Sequence, residues 1–355
     1  MSQPIKAGLV GFGISAKVFH APFLHVLPGY ELVSVLERHG DTASKAYPGV
    51  RTVRSMDELL DDPEIELVVI TTPNETHLDY ATRALQKGKH VVVEKPFTVT
   101  SEDGAELIKI AEQSGRILSV YQNRRYVGDF LTIQRILDAK LLGQVHEFEA
   151  HYDRYRPGPR PGAWREEPQP GSGILFDLGP HVIDQALCLF GLPHSLYADI
   201  RIERPHARVD DYFDIQLYYP GLKIIAKGGM LVREPGPRYM LHGFEGSYIK
   251  SGEDPQEALL RAGVLPGGDG WGQEPPENDG ILHTEKGRET YPTLPGNYGL
   301  YYENLYRTLR EGAPLREMPA HGFNTIRIIE TAIESSRAKR VLEVTGLMDV
   351  PYPKA

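Results

Sequence analysis

Cysteine is nearly absent. Cys188 stands alone in a chain of 355 residues, so no intrachain disulfide can form and an oxidising compartment is not implied. Basic residues are in deficit, with 39 Lys and Arg against 48 Asp and Glu, a net charge of −9. A chain this acidic lacks the broad positive field that holds nucleic acid or anionic membrane, so neither is expected as a partner. No apolar run approaches the roughly 20 residues a bilayer span needs. Met1 to Lys6 lead directly into a strand-like stretch without the apolar core of a signal peptide, and a cytoplasmic location is expected. Internal repeats, coiled-coil heptads, G-x-S-x-G and P-loop patterns are also missing. His20 with His25, His146 with His151, and His194 with His206 lack metal-ligand spacing and acidic companions, so no metal site is expected. Cys188 falls within apolar Ala186–Phe190 and reads as a buried small hydrophobe, not a nucleophile.

What is present supports a folded protein of two domains. Apolar residues make up 41% and charged residues 25%, enough for a sizeable core. The first third alternates short β-rich runs (Ile5–Val10, Glu31–Leu36, Leu67–Thr71, His90–Val93, Ile117–Tyr121) with helical stretches (Ala16–Leu27, Ser55–Leu60, Glu75–Lys87, Ser101–Ser114). Nearly all-apolar strands suit a parallel sheet covered on both faces, and the alternation predicts a doubly wound α/β domain over 1–123. Over 124–355 the pattern changes. A helix is expected at Gly128–Leu141, and strands at Val145–Tyr152, Leu196–Arg204, Asp211–Tyr219, Leu222–Lys227, Tyr239–Gly243 and Ser247–Lys250. Phe213, Ile215, Leu217 and Tyr219 alternate with polar neighbours, and Pro220-Gly221 marks a hairpin. This predicts an α+β domain on a large, mostly antiparallel open sheet. Pro266 to Gly280 reads as an ordered surface loop. Helices at Tyr298–Arg310 and His321–Lys339 are expected to pack across the domain junction.

Gly11-Phe12-Gly13-Ile14-Ser15-Ala16 follows the first strand and opens the first helix, matching G-x-G-x-x-A. Gly11 permits the tight turn, Gly13 lets a pyrophosphate approach the backbone, and Ala16 lets the helix pack on the sheet, so dinucleotide binding is expected. Glu37, ending the second strand, can accept ribose hydroxyls of NAD and repel the 2′-phosphate of NADP. Arg38 argues the other way, since a guanidinium can clamp that phosphate, and the balance leans to NAD. Thr71, Thr72, Pro73 and Asn74 with His77, and Glu94, Lys95 and Pro96, sit at or past the carboxyl ends of strands, where open α/β sheets bind ligands.

These motifs, with Gly88-Lys89-His90 and Asp177-Leu178-Gly179-Pro180-His181, resemble the Gfo/Idh/MocA oxidoreductases over nearly the whole chain. Tyr121–Arg125, Tyr155-Arg156-Pro157, Trp164-Arg165, Phe176–Gly179, Ile183-Asp184-Gln185, Gly236–Tyr239 and Ile326–Glu330 are similar to its scyllo-inositol dehydrogenase branch. The resemblance implies a Rossmann NAD(P)-binding domain followed by a substrate-binding and oligomerisation domain. It implies hydride transfer between a cyclic polyol or sugar and nicotinamide, with Lys95, Asp177 and His181 as the catalytic set. A histidine with an ordinary pKa near about 6.5 suits removal of a hydroxyl proton, and Lys95 would stabilise the developing alkoxide. Asp177 and His181 share a helix face unless the helix begins at Pro180. The family also implies a cis bond before Pro96, and contacts from Asn123, Trp164 and Arg165 to the cofactor. Lys95, Asn123, Arg124, Tyr152, Arg154, Asp177, His181 and Tyr239 are the expected substrate contacts. A homo-oligomer, dimer or tetramer, assembled through the open sheet, is a further expectation. Reduction of another keto-sugar or a dihydrodiol-type substrate, or cofactor sensing without turnover, are the alternative functions.

Overall fold

The computed structural model describes residues 3–353, so the ends of the two expected domain spans, at 1 and 355, lie outside the described residues. Among the described residues, six strands form a parallel sheet: β1 (Ile5–Val10), β2 (Tyr30–Leu36), β3 (Arg51–Val53), β4 (Leu67–Ile70), β5 (His90–Val93) and β6 (Leu118–Val120), in the order β3-β2-β1-β4-β5-β6. The strands read as continuous apolar runs because both faces are covered. Val68 and Ile70 pack with Leu59 and Leu107, while Leu67 and Val69 pack with Phe23 and Tyr302. The order reverses between β1 and β4, which opens a crevice at their carboxyl ends.

A second sheet contains β7 (Val145–Asp153), β8 (Ser195–Arg201), β9 (Tyr212–Tyr219), β10 (Leu222–Gly229), β11 (Tyr239–Gly243), β12 (Gly246–Lys250), β13 (Gly280–Thr284), β14 (Gly287–Tyr291) and β15 (Leu342–Glu343). Its order is β14-β13-β12-β11-β7-β10-β9-β8-β15, antiparallel except where β7 meets β10. The expected hairpin forms, Tyr219 pairing with Leu222 across Pro220 and a Gly221 at φ +70°. Phe213, Ile215 and Leu217 are fully buried, and the opposite face of β9 is half-exposed.

Several boundaries differ from expectation. β8 stops at Arg201, because Arg204 turns inward to pair with Asp211 and Glu166. Helix Gly128–Asp138 ends before Leu141, where Lys140 takes a left-handed φ of +54°. The first helix opens with a wide π turn, Ala16–His20, before α-helix Ala21–Val26; Pro22, without an N–H, lies just beyond it. Helix Gly173–Phe190 continues through Pro180, so it does not begin there. Its start is held by Asp210, whose carbonyl accepts from Ile174 N–H and whose carboxylate accepts from Leu175 N–H. This helix is long and apolar enough to cross a membrane, yet it lies enclosed between the second sheet and helix Pro319–Ala338. The late helices span both halves: Tyr301, Tyr302 and Leu305 share a core with β1 and β2, while Ile326 and Ile329 join the core of the second sheet.

Candidate active site

The crevice between β1 and β4 opens into a cavity of about 990 Å³ whose far wall is the second sheet and helix Gly173–Phe190. Lys95, just past β5, reaches across it. Its Nζ donates to the Asp177 carbonyl oxygen at 2.8 Å and lies 3.4 Å from Asp177 Oδ1. Arg165 Nε is 3.2 Å from the same carboxylate oxygen. Because the helix continues through Pro180, His181 stands one turn beyond Asp177 on the same face. Its ring stacks on Tyr152, centroids 6.0 Å apart at 25°, and the Arg238 guanidinium lies over the Tyr152 ring, 3.2 Å from its centroid. The Lys95–Pro96 bond is cis, as the family resemblance implies.

Charge sets the chemistry. Burial, reinforced by Lys95, Arg124, Arg238 and Arg154, pushes His181 well below the usual 6.5, so its imidazole is neutral and able to accept a proton. Burial lowers Lys95 too, and Asp177 only partly restores it. Burial raises the Asp177 carboxyl, but Lys95, Arg165 and Arg154 outweigh that and hold it below 3.8. Among the described residues, His181 Nδ1 and the Tyr152 hydroxyl are buried without a hydrogen-bond partner, leaving His181 Nε2 as the nitrogen available to a ligand. The expected pH profile follows. The acid limb of kcat/KM for a reaction in which His181 takes a proton should lie below pH 6.5, since burial and the surrounding cations keep the proton off His181, and any limb from Lys95 should lie below 10.5. An acid limb above 6.5, measured on kcat/KM with pH, would contradict this placement of the base.

The structure tests whether a dinucleotide fits. Gly11 holds φ +90°, with the Thr72 side chain against the position a Cβ would take, and Gly13 faces open space where a side chain would begin. A phosphate would therefore meet bare backbone there, as the motif requires. Ile14, Ser15, Thr71, Thr72, Asn74, Glu94, Lys95, Asn123 and Arg165 line the cavity, and so do Arg124, Tyr152, Arg154, Asp177 and His181. Ser15 donates to Glu94, which also bonds His20 Nε2 at 2.9 Å; against its burial, these contacts and Lys95 pull Glu94 down to about 2.

Other expected contacts stand elsewhere. His77 is fully buried, with Nε2 3.1 Å from the Thr72 carbonyl and Nδ1 3.0 Å from that of Pro96, so it ties the two loops together. Pro73 and Pro96 shape those loops without lining the cavity. Tyr239 points into the core, its hydroxyl donating to Gln185; the preceding residue, Arg238, lines the cavity instead. Trp164 is half-exposed and off the cavity, its ring covered by Arg165 at 4.3 Å. Phe12 lines a smaller neighbouring cavity with Tyr47 and Leu260, and Ala16 is buried. Glu37 is buried at the end of β2, and its carboxylate already accepts from Thr42 N–H, Thr42 hydroxyl and Ala43 N–H (2.8 Å to Oε2). One lone pair of Oε2 remains for a ribose hydroxyl. Arg38 is exposed. Sequence reasoning missed Asp129, Arg156, Arg160 and the segment Glu253–Arg261 at the cavity wall.

Comparison with known proteins agrees with this geometry. Residues 5–122 match the oxidoreductase family's NAD-binding Rossmann fold, and residues 135–344 match its C-terminal alpha/beta domain. The chain belongs to the Gfo/Idh/MocA oxidoreductase family. It is 42% identical over 342 residues to scyllo-inositol 2-dehydrogenase (NADP(+)) IolW of Bacillus subtilis, covering 95% of each chain. It is 44% identical over 348 residues to the uncharacterized oxidoreductase YdgJ of Escherichia coli, covering 96% of this chain and 99% of that one. Among solved structures, the putative oxidoreductase yvaA of Bacillus subtilis superposes with a TM-score of 0.93 at 41% identity, covering 96% of this chain and 99% of that one. The chain is therefore an oxidoreductase with a nicotinamide-binding fold.

Proposed function

We propose that this oxidoreductase interconverts a secondary alcohol and a ketone on a cyclic polyol or sugar, with an inositol as the first substrate to test. The observation that carries the reading is the convergence of Lys95, Asp177 and neutral His181 on one cavity beside the Gly11–Ala16 turn. Similarity to a scyllo-inositol dehydrogenase supports the substrate class. The turn residues Gly11 to Ser15 would hold the dinucleotide phosphates, and Asn123 and Arg165, which line the cavity, would border its reacting end. A bound nicotinamide supplies a hydride acceptor at C4. In oxidation the substrate C–H leaves as hydride, the O–H proton passes to His181 Nε2, and the C–O bond becomes C=O. Lys95 stabilises negative charge on that oxygen during the transfer. Asp177 anchors Lys95 and Arg165 and so fixes where the oxygen sits. Copies of the chain would associate through the half-exposed outer face of the second sheet.

For the cofactor we infer a preference for NAD. The buried Glu37 carboxylate, at the end of β2, would face the ribose and oppose a 2′-phosphate. The test is formation of reduced cofactor, followed by absorbance with scyllo-inositol, myo-inositol and aldoses, using NAD and NADP separately. Turnover with at least one polyol, and a higher kcat/KM with NAD, is expected; Glu37→Gln should shift the ratio toward NADP by about tenfold. A wild-type preference for NADP would overturn the role given to Glu37, and silence across the panel with cofactor bound would overturn the substrate class.

A further inference from the structure

Asp129 and Arg238 line the cavity, yet neither has a part in the chemistry assigned to Lys95, Asp177 and His181. Asp129 is the second residue of helix Gly128–Asp138 and only 2% exposed. Among the described residues its carboxylate takes one hydrogen bond, from Phe130 N–H to Oδ1 at 2.7 Å, which answers a free N–H of the helix's first turn. Oδ2 is left over. Arg238, just before β11, is also nine-tenths buried. Its guanidinium lies over the Tyr152 ring, and its Nη1 is 3.7 Å from Glu253 Oε1. Its Nε is buried without a hydrogen-bond partner, and so is the Tyr152 hydroxyl beside it.

The two side chains are neighbours. Burial lifts the Asp129 carboxyl, and Arg238, then Lys250, pull against it. Opposite charges side by side offset one another, so what remains unmet here is hydrogen bonding, not charge. A buried donor or acceptor without a partner is costly. A hydroxyl group meets both needs, because it donates through O–H and accepts through its lone pairs. An apolar ring seated here would seal both groups from water and give nothing back.

We propose that Asp129 and Arg238 determine substrate specificity by holding two hydroxyls on ring carbons other than the one oxidised, one donating to Asp129 Oδ2 and the other accepting from Arg238 Nε. The proposal rests on the polyol or sugar reading above and deepens it: the preferred substrate is a neutral ring with at least three hydroxyls. The Tyr152 ring lies under Arg238 and stacks on His181, so it fixes the spacing between the held hydroxyls and the one that loses its proton. A dihydrodiol-type substrate has a single hydroxyl besides the one oxidised, and would leave one of the two groups unmet.

Substrates that differ only in hydroxyl count test it: scyllo- and myo-inositol against a monodeoxy-inositol and trans-1,2-cyclohexanediol, and glucose against 2-deoxyglucose. The expected kcat/KM for the best polyol is at least about 10²-fold above that for the cyclohexanediol, with the deoxy compounds between. Asp129→Ala and Arg238→Ala should each lower kcat/KM for the polyol by about 10–100-fold and that for the diol by no more than about threefold. Asp129→Asn, which keeps an acceptor oxygen, should retain part of the preference and a melting temperature near the parent's. The Kd for the cofactor, titrated by fluorescence, should not move in any variant. A parent enzyme that turns over the diol as well as the polyols overturns this proposal alone and leaves a cyclic alcohol as substrate. Variants that lose polyol and diol activity in equal measure also overturn it, because the two residues then support the fold or the chemistry. A weakened cofactor Kd overturns it too, since the pair then serves the dinucleotide. Silence with every compound overturns it together with the reading beneath it.

Discussion

His181→Ala is expected to lower kcat for alcohol oxidation by about 10²–10⁴-fold while cofactor affinity is retained. The size follows from what the side chain does. Proton removal must accompany hydride departure, and among the groups beside Lys95, His181 is the one whose neutral form is enforced by burial and then by Lys95, Arg124, Arg238 and Arg154. Asp177 does not replace it, because Lys95 and Arg165 hold that carboxyl below 3.8, which makes it a poor proton acceptor near neutral pH. Alanine also removes the ring that stacks on Tyr152, so His181→Gln is the companion variant. It fills most of the space, cannot act as a base, and should show the same loss of kcat. The two measurements separate chemistry from packing: single-turnover hydride transfer in both variants, and thermal melting of each. If both variants turn over within about tenfold of the parent, the proton leaves by another route and His181 only shapes the pocket.

How legible this site was depended on whether its parts are local in sequence. Gly11, Gly13 and Ala16 carry their meaning within one turn, and the structure places that turn between β1 and its helix as the motif requires. Lys95 and His181 stood in motifs, but their meeting depends on helix Gly173–Phe190 passing through Pro180, which backbone rules disfavour. Asp210, distant in sequence, caps the start of that helix, and no local pattern announces this. Tyr239 and Arg238 show the converse difficulty. Both occur in one short motif, and only the register of β11 against β7, with Tyr239 opposite Ala150, turns the tyrosine into the core. His77 sits in a loop motif that reads as ligand-binding, yet both its nitrogens meet backbone carbonyls of two loops far apart in the chain. β3 and β14 were invisible because they lie at sheet edges with exposed or half-exposed residues, where alternation has no buried face to mark it.

Arg125→Met is expected to destabilise the protein by about 3–5 kcal/mol, more than any surface change. Arg125 is bidentate on Asp184, with Nε and Nη2 at 2.8 and 2.6 Å from its oxygens, and both side chains are 2% exposed. A third group, Glu317, lies 3.8 Å from Arg125 Nη1 and accepts the Tyr126 hydroxyl at 2.6 Å. The three come from the segment after β6, helix Gly173–Phe190 and the turn before helix Pro319–Ala338, so the guanidinium joins elements of both halves of the molecule. Removing it strands two carboxylates in the interior. The pH sign is specific. Burial already pushes Glu317 up to about 7, with Arg125 as the main opposing influence, so in Arg125→Met this carboxyl binds its proton still more tightly. A raised carboxyl pKa contributes stability at low pH that is lost as pH rises; the parent's Glu317 already keeps its proton up to about 7, so the deficit should be flat below about pH 6 and grow from there to about pH 9. Chemical denaturation of parent and variant across that range measures it. The double variant Arg125→Met/Asp184→Leu separates charge from packing. If unpaired charge is the cause, it should recover the share of the loss due to Asp184 while the pH dependence from Glu317 stays, because a buried ion pair exchanged for apolar side chains of similar volume is often neutral. A double variant as unstable as the single one would place the cost in lost shape at the junction. Asn123 and Arg124, the neighbours of Arg125 at the cavity wall, would then report the damage as a raised KM, because the junction that holds Arg125 also holds them.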